Sequence, residues 1–117
     1  MSKQVLVIDD NHKIRELFAS YMALKGLEVK TLGNGLNIIE ELSSNDYDII
    51  LLDLAMPELS GFEVLDIMEK NNVSRENVVV LTAAYVSDEE RAKLKSYKIK
   101  AFLEKPTELP TLMSLIC

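Results

Sequence analysis

The chain has 117 residues, one cysteine and a formal charge of −6. That length fits a single domain that buries its own core without staples. The lone Cys117 excludes an internal disulfide framework and points to a reducing compartment. The acidic balance excludes nucleic-acid binding by bulk electrostatics, and no apolar run approaches the roughly 20 residues that cross a bilayer.

The first segment, Gln4 to Ile8, is short, β-branched and apolar, as in a strand buried on both faces, and it stops at Asp9-Asp10. It is too short for the core of a signal peptide, so a cytoplasmic protein is expected. Ile14, Leu17, Phe18 and Tyr21 follow at helical spacing, and Gly26 reads as the stop. Leu27 to Leu32 alternates more and suits a strand near an edge. Asn34-Gly35 is a turn signal, and Leu36, Ile39 and Leu42 predict a second helix. Ile49 to Leu52 is a continuous apolar run ending at Asp53, and Phe62, Leu65 and Met68 give a third helix. Val78 to Leu81 is another buried strand, ending at Thr82. Ser87 with Glu90 forms a capping box that opens a fourth helix. Ala101 to Leu103 is a short last strand. Leu109, Leu112, Met113 and Ile116 give a short final helix, with Thr107 as its cap and Pro110 in its first turn.

Five strand–helix units in alternation imply a parallel sheet covered by helices on both faces. In such sheets, sites form outside the carboxyl ends of the strands. Asp9-Asp10, Asp53 and Thr82 therefore converge. Three carboxylates at one edge repel each other, and an oxygen-only donor set suits Mg²⁺. His12 is the sole histidine, so it lacks the partners of a zinc site and reads as an exposed residue at a helix start. A carboxylate beside Mg²⁺ is a nucleophile for phosphorus. Lys105 supplies a cation and Thr82 a hydroxyl for the charge that develops. Arg91, Lys93, Lys95, Lys98, Lys100 and Lys105 crowd the last quarter. They read either as a solvated face or as a docking edge for an acidic partner.

The sequence resembles the receiver domain of two-component response regulators over essentially its whole length. The resemblance rests on Val7-Ile8-Asp9-Asp10-Asn11, Asp53-Leu54-Ala55-Met56-Pro57 with Gly61, Leu81-Thr82-Ala83, and Lys105-Pro106. It implies a flavodoxin-like fold of five parallel strands in the order 2-1-3-4-5, as one domain over residues 1–117. It further implies that Asp53 is the phosphoacceptor and that Asp10 and Asp53 are direct Mg²⁺ ligands. Asp9 would act through water and the backbone carbonyl of Ala55 would complete the set. Lys105 would pair with the phosphoryl group, Thr82 and Phe102 would form the switch pair, and the bond before Pro106 would be cis. Ala55 and Ala84 would flank the path of the hydrolytic water, and their inert side chains imply slow self-dephosphorylation. The implied partners are a sensor histidine kinase or histidine phosphotransfer protein and a downstream protein target, with no direct nucleic acid contact and no membrane insertion. Such a chain catalyses only its own phosphorylation and dephosphorylation.

Three departures stand out. Ser60 replaces the aspartate that many receivers carry before Gly61, Phe102 lacks a tyrosine hydroxyl, and the segment after Lys105 is short. The competing readings are a haloacid-dehalogenase-type phosphohydrolase, a flavin or nucleotide carrier, and a degenerate receiver acting as a docking module. The first lacks a general acid two residues after Asp53, where Ala55 stands. The second lacks a glycine-rich phosphate loop after Ile8. The third is opposed by the intact Asp53, Thr82 and Lys105.

Overall fold

The computed structural model describes residues 3–83, 85–105 and 109–116. The expectations for Ala84, Pro106, Thr107 and Cys117 lie outside the described residues. The element order is β1 (Gln4–Ile8), α1 (His12–Leu24), β2 (Glu28–Leu32), α2 (Ile38–Ser44), β3 (Ile49–Leu52), α3 (Gly61–Lys70), β4 (Val78–Thr82), α4 (Asp88–Ser96), β5 (Ala101–Glu104) and α5 (Leu109–Ile116). The strands form one parallel sheet in the order β2-β1-β3-β4-β5, the order implied by the resemblance to receiver domains.

Alternation along the three central strands divides their apolar side chains between two cores. Leu6, Ile8, Ile50, Leu52, Val78 and Val80 face one side and meet Ile38, Val64, Leu65, Met68, Leu94 and Tyr97. Val5, Val7, Ile49, Leu51, Val79 and Leu81 face the other and meet Phe18, Met22, Leu112 and Ile116. Helices α2, α3 and α4 therefore cover one face, and α1 and α5 the other. This is why β1, β3 and β4 read as unbroken apolar runs, whereas β2 and β5, at the edges, are only half-buried.

Helix ends follow local chemistry. Asn11 caps α1 by accepting from the Ile14 N–H, and Gly26 takes φ +84° just after α1 ends, a conformation that favours glycine. The expected capping box at Ser87 and Glu90 is present, and Ser60 and Glu63 form a second one at α3. Ser60 thus opens the helix whose buried face carries Val64, Leu65 and Met68.

The structure corrects two apolar assignments. Leu17, placed on the inner face of α1 by spacing, is half exposed, and Met22 takes the buried position instead. Leu36 precedes α2 and is exposed, while Ile38 enters the core. An apolar residue at the margin of a helical stripe is cheap to leave in water, so spacing alone does not fix its burial.

Candidate functional site

Strand β1 sits between β2 and β3, so the direction of chain progression across the sheet reverses beside it. The crevice outside the carboxyl ends of β1 and β3 lies at that reversal. Asp9 and Asp53 are the first residues past these strands, and the backbone ladder continues through both: the Asp9 N–H donates to Leu32 O at 3.1 Å and the Asp53 N–H to Ile8 O at 3.0 Å. Across the same edge, the Lys105 N–H donates to Thr82 O at 2.8 Å.

Carboxylate oxygens of Asp9, Asp10 and Asp53 lie within 4.8 Å of one another. Asp9, Asp53 and Thr82 are buried, at 3%, 7% and 0% exposure, while Asp10 is exposed. Burial pushes the Asp53 carboxyl up from its ordinary range. The Lys105 ammonium pulls it back down, the Asp9 carboxylate pushes it up again, and hydrogen bonds from the Thr82 hydroxyl and the Ala55 N–H oppose the rise. Three hard oxygen donors this close together, with a buried member held above its usual pKa, fit a divalent cation such as Mg²⁺.

Asp9 is held at every polar atom. Its carboxylate accepts from the Asn11 N–H at 2.9 Å and from Lys105 Nζ at 2.8 Å, and its carbonyl accepts from Arg15 Nη1 at 2.7 Å. Lys105 was expected to serve a phosphoryl group. Here its ammonium ion pairs with Asp9, with both side chains largely buried. Sequence reasoning missed Arg15. The available signal was its place one turn after the Asn11 cap, where a long cation reaches back to the carbonyls at the strand end.

Gly61 sets the depth of the site. A Cβ built there would lie 2.4 Å from Asp53 O and 2.8 Å from Leu54 Cα. The Gly61 N–H in turn donates to Leu54 O at 2.9 Å, which folds the loop after β3 onto the start of α3. Pro57 and Leu59 turn this loop around Glu58, which takes φ +68°. Ala55 is exposed at the mouth.

On β4 and β5, Val80 pairs with Phe102 and Thr82 with Glu104. Thr82 and Phe102 are therefore offset by one two-residue step along a shared side of the sheet. Phe102 is partly buried against the core under α3 and α4. Of the basic run, Arg91 pairs with Glu104, and Lys93 lies 4.0 Å from Asp66 and over the Phe62 ring. Lys95 and Lys100 line a groove of about 470 Å³ together with Arg91, Leu94, Ile99 and Phe102. His12 is exposed and faces Glu16 one turn along α1, as an ordinary helix-start residue does.

The sequence profile of the response regulator receiver domain matches residues 5–117. The chain belongs to this family, the receiver domains of two-component signalling. It is 26% identical over 116 residues to the polar-differentiation response regulator DivK of Brucella anthropi, covering 99% of this chain and 94% of that protein. It is 40% identical over 83 residues to a transcriptional regulatory protein, the CpxR homolog of Haemophilus influenzae, covering 71% of this chain and 35% of that one. Among solved structures it resembles the chemotaxis protein CheY4 of Vibrio cholerae, with TM-score 0.85, 25% identity, and 97% and 95% of the two chains covered. It also resembles the response regulator TrrA of Thermotoga maritima, solved in complex with Mg²⁺-BeF, with TM-score 0.75, 30% identity, and 96% and 94% covered. Receiver domains are signalling switches that work with kinases or phosphotransfer partners, and the phosphohydrolase reading is not favoured. No helix among the described residues is long and apolar enough to cross a membrane.

Proposed function

We propose that Asp53 is the phosphoacceptor of this receiver, taking a phosphoryl group from a phosphohistidine on a sensor kinase or histidine phosphotransfer protein. The observation that carries the reading is the convergence of three carboxylates within 4.8 Å, with the Lys105 ammonium on one of them and the Thr82 hydroxyl on another. An Asp53 oxygen attacks phosphorus, the P–N bond of phosphohistidine breaks, and the imidazole leaves with the bonding pair. Asp10, Asp53 and the carbonyl of Ala55 would hold Mg²⁺ directly, and Asp9 through water. Bound there, the ion offsets the repulsion between the carboxylates and the incoming phosphoryl oxygens.

The remaining work falls to the chain. Lys105 must leave Asp9 to reach a phosphoryl oxygen, and its flexible stem permits a short swing. Thr82, already donating to Asp53, donates instead to the new oxygens and draws the chain after β4 inward. Phe102, one step away on β5, then turns into the space so opened. An added charge of about −1.5 to −2 is enough to bias two packings that differ by a few kcal/mol. Output would pass through α4, β5 and α5, where Lys95 and Lys100 line an apolar groove fit for an acidic partner with salt-sensitive binding. Ala55 stands where a phosphohydrolase needs its acid, which supports a chain that acts only on its own phosphoryl group.

Incubation with acetyl phosphate and Mg²⁺ tests the reading. One hydroxylamine-labile phosphoryl group should appear, and mass spectrometry should place it on Asp53. Sustained turnover of p-nitrophenyl phosphate, or full labelling of Asp53→Asn, would overturn it.

A further inference from the structure

Residues 102 and 104 of β5 point to one side of the sheet, since side chains alternate along a strand. Phe102 and Glu104 therefore stand next to each other beneath α4. One side chain of α4 spans both: the Arg91 guanidinium lies over the Phe102 ring, 5.3 Å from its centroid, and donates to the Glu104 carboxylate. Lys93, two residues on, faces another way, toward Asp66, Phe62 and Tyr97 at the seam with α3. The cations of α4 thus divide their tasks. Lys93 fastens the helix to α3, and Arg91 fastens it to the strand that carries the aromatic switch residue.

We propose that Arg91 is a latch that holds Phe102 in its partly exposed position and so sets how readily this receiver switches. The inference rests on the phosphorylation function proposed above. If the ring turns inward toward Thr82, it leaves the guanidinium, because Glu104 tethers Arg91 to the outer side of the same strand. The stacking contact belongs to one conformation only. A contact present in a single state shifts the equilibrium between states by its full worth. The ion pair to Glu104 persists in both states, so only the exposed cation–π contact counts, and it corresponds to about a two- to fivefold bias. Neither Thr82 nor the acidic cluster touches Arg91 in any contact described above, so removing the latch should leave the chemistry of Asp53 intact.

The test is a titration of the 117-residue chain with Mg²⁺ and beryllofluoride, using NMR with ring-labelled phenylalanine. Arg91→Gln should bind the mimic about two- to fivefold more tightly than wild type. Its Phe102 resonances without the mimic should already lie displaced toward the bound position. Glu104→Gln should move both readouts in the same direction by less. Arg91→Lys keeps the charge but loses the flat face, and should fall between wild type and Arg91→Gln. Unchanged affinity with unchanged ring shifts overturns the latch, and so does weaker binding by Arg91→Gln. Acetyl phosphate labelling, run alongside, separates the two readings. A wild type that neither takes label on Asp53 nor binds the mimic brings down the phosphorylation function. Normal labelling with unmoved Phe102 brings down the latch alone.

Discussion

The carboxyl edge of β1 and β3 and the α4–β5 side of the molecule are fastened in opposite ways. At the first, Asp9, Asp53 and Thr82 are at most 7% exposed and sit on a continuous backbone ladder. At the second, the clasp between α4 and β5 joins Arg91 and Glu104 side chains that are 46% and 58% exposed. A buried group on a ladder keeps one geometry, which chemistry needs. An exposed pair in water contributes little and is easily exchanged, which a movable readout needs. On the function proposed above, the difference teaches that rigidity belongs where bonds are to be made and slack where a partner is to be told.

The largest expected effect comes from the rigid side. Asp53→Asn should abolish labelling by acetyl phosphate, read by mass spectrometry. The same change bears on stability. The folded-state pKa of Asp53 is raised. Its ionised form is therefore disfavoured by folding: its contribution is most favourable at pH below the unfolded value and is lost as pH rises through the folded one. With chelator present, Asp53→Asn should melt higher than wild type near pH 7, and the gap should close in acid. An equal melting temperature at neutral pH would show that Lys105 and Thr82 fully offset the buried charge.

Gly61→Ala should come next. Its added carbon meets backbone atoms of Asp53 and Leu54, which cannot rotate aside. A loss of about 1–3 kcal/mol is expected in denaturant titration, and displacement of Asp53 should slow labelling by up to about a hundredfold. Wild-type labelling rates in this variant would mean that the edge is more pliable than its ladder suggests. On the looser side, Tyr97 is buried and its hydroxyl donates to Asp66, tying the end of α4 to α3. Tyr97→Phe should cost about 1 kcal/mol while leaving labelling unchanged. Ser60→Ala removes one cap and should cost about 1 kcal/mol of thermal stability. The smallest change is Glu58→Gly, which relieves a positive φ and should shift stability by no more than about 1 kcal/mol.

Much of this architecture was legible in the chain. Unbroken apolar runs announced β1, β3 and β4, because strands covered on both faces have no polar side to show. The polar residue that ends each run marked the edge where chemistry gathers, and Asp9, Asp10, Asp53, Thr82 and Lys105 all lie there. Other features were hidden for physical reasons. Lys105 meets Asp9 across 96 residues of sequence, and the registers that link β1 to β5 through β3 and β4 decide which carboxylate its ammonium reaches. The basic run looked like a single patch. Partners on α3 and β5 draw Lys93 and Arg91 to opposite neighbours, and such partners cannot be read from a string of like charges. Leu17 and Leu36 misled because spacing counts faces without knowing how wide the neighbouring element is.

The position of β1 between β2 and β3 has a consequence for how the chain emerges from the ribosome. The first strand made has its outer neighbour at residue 28 but its inner one only at residue 49. Until β3 is released, β1 has one paired edge and one open edge that invites wrong partners. Once it arrives, β4 and β5 add outward one at a time, each onto a finished neighbour. Nascent chains released up to about the end of α3 should thus resist protease far better than chains stopped before Ile49, a difference that pulse proteolysis of stalled chains measures. Equal sensitivity at both lengths would mean that the N-terminal strands wait for β4 before they hold.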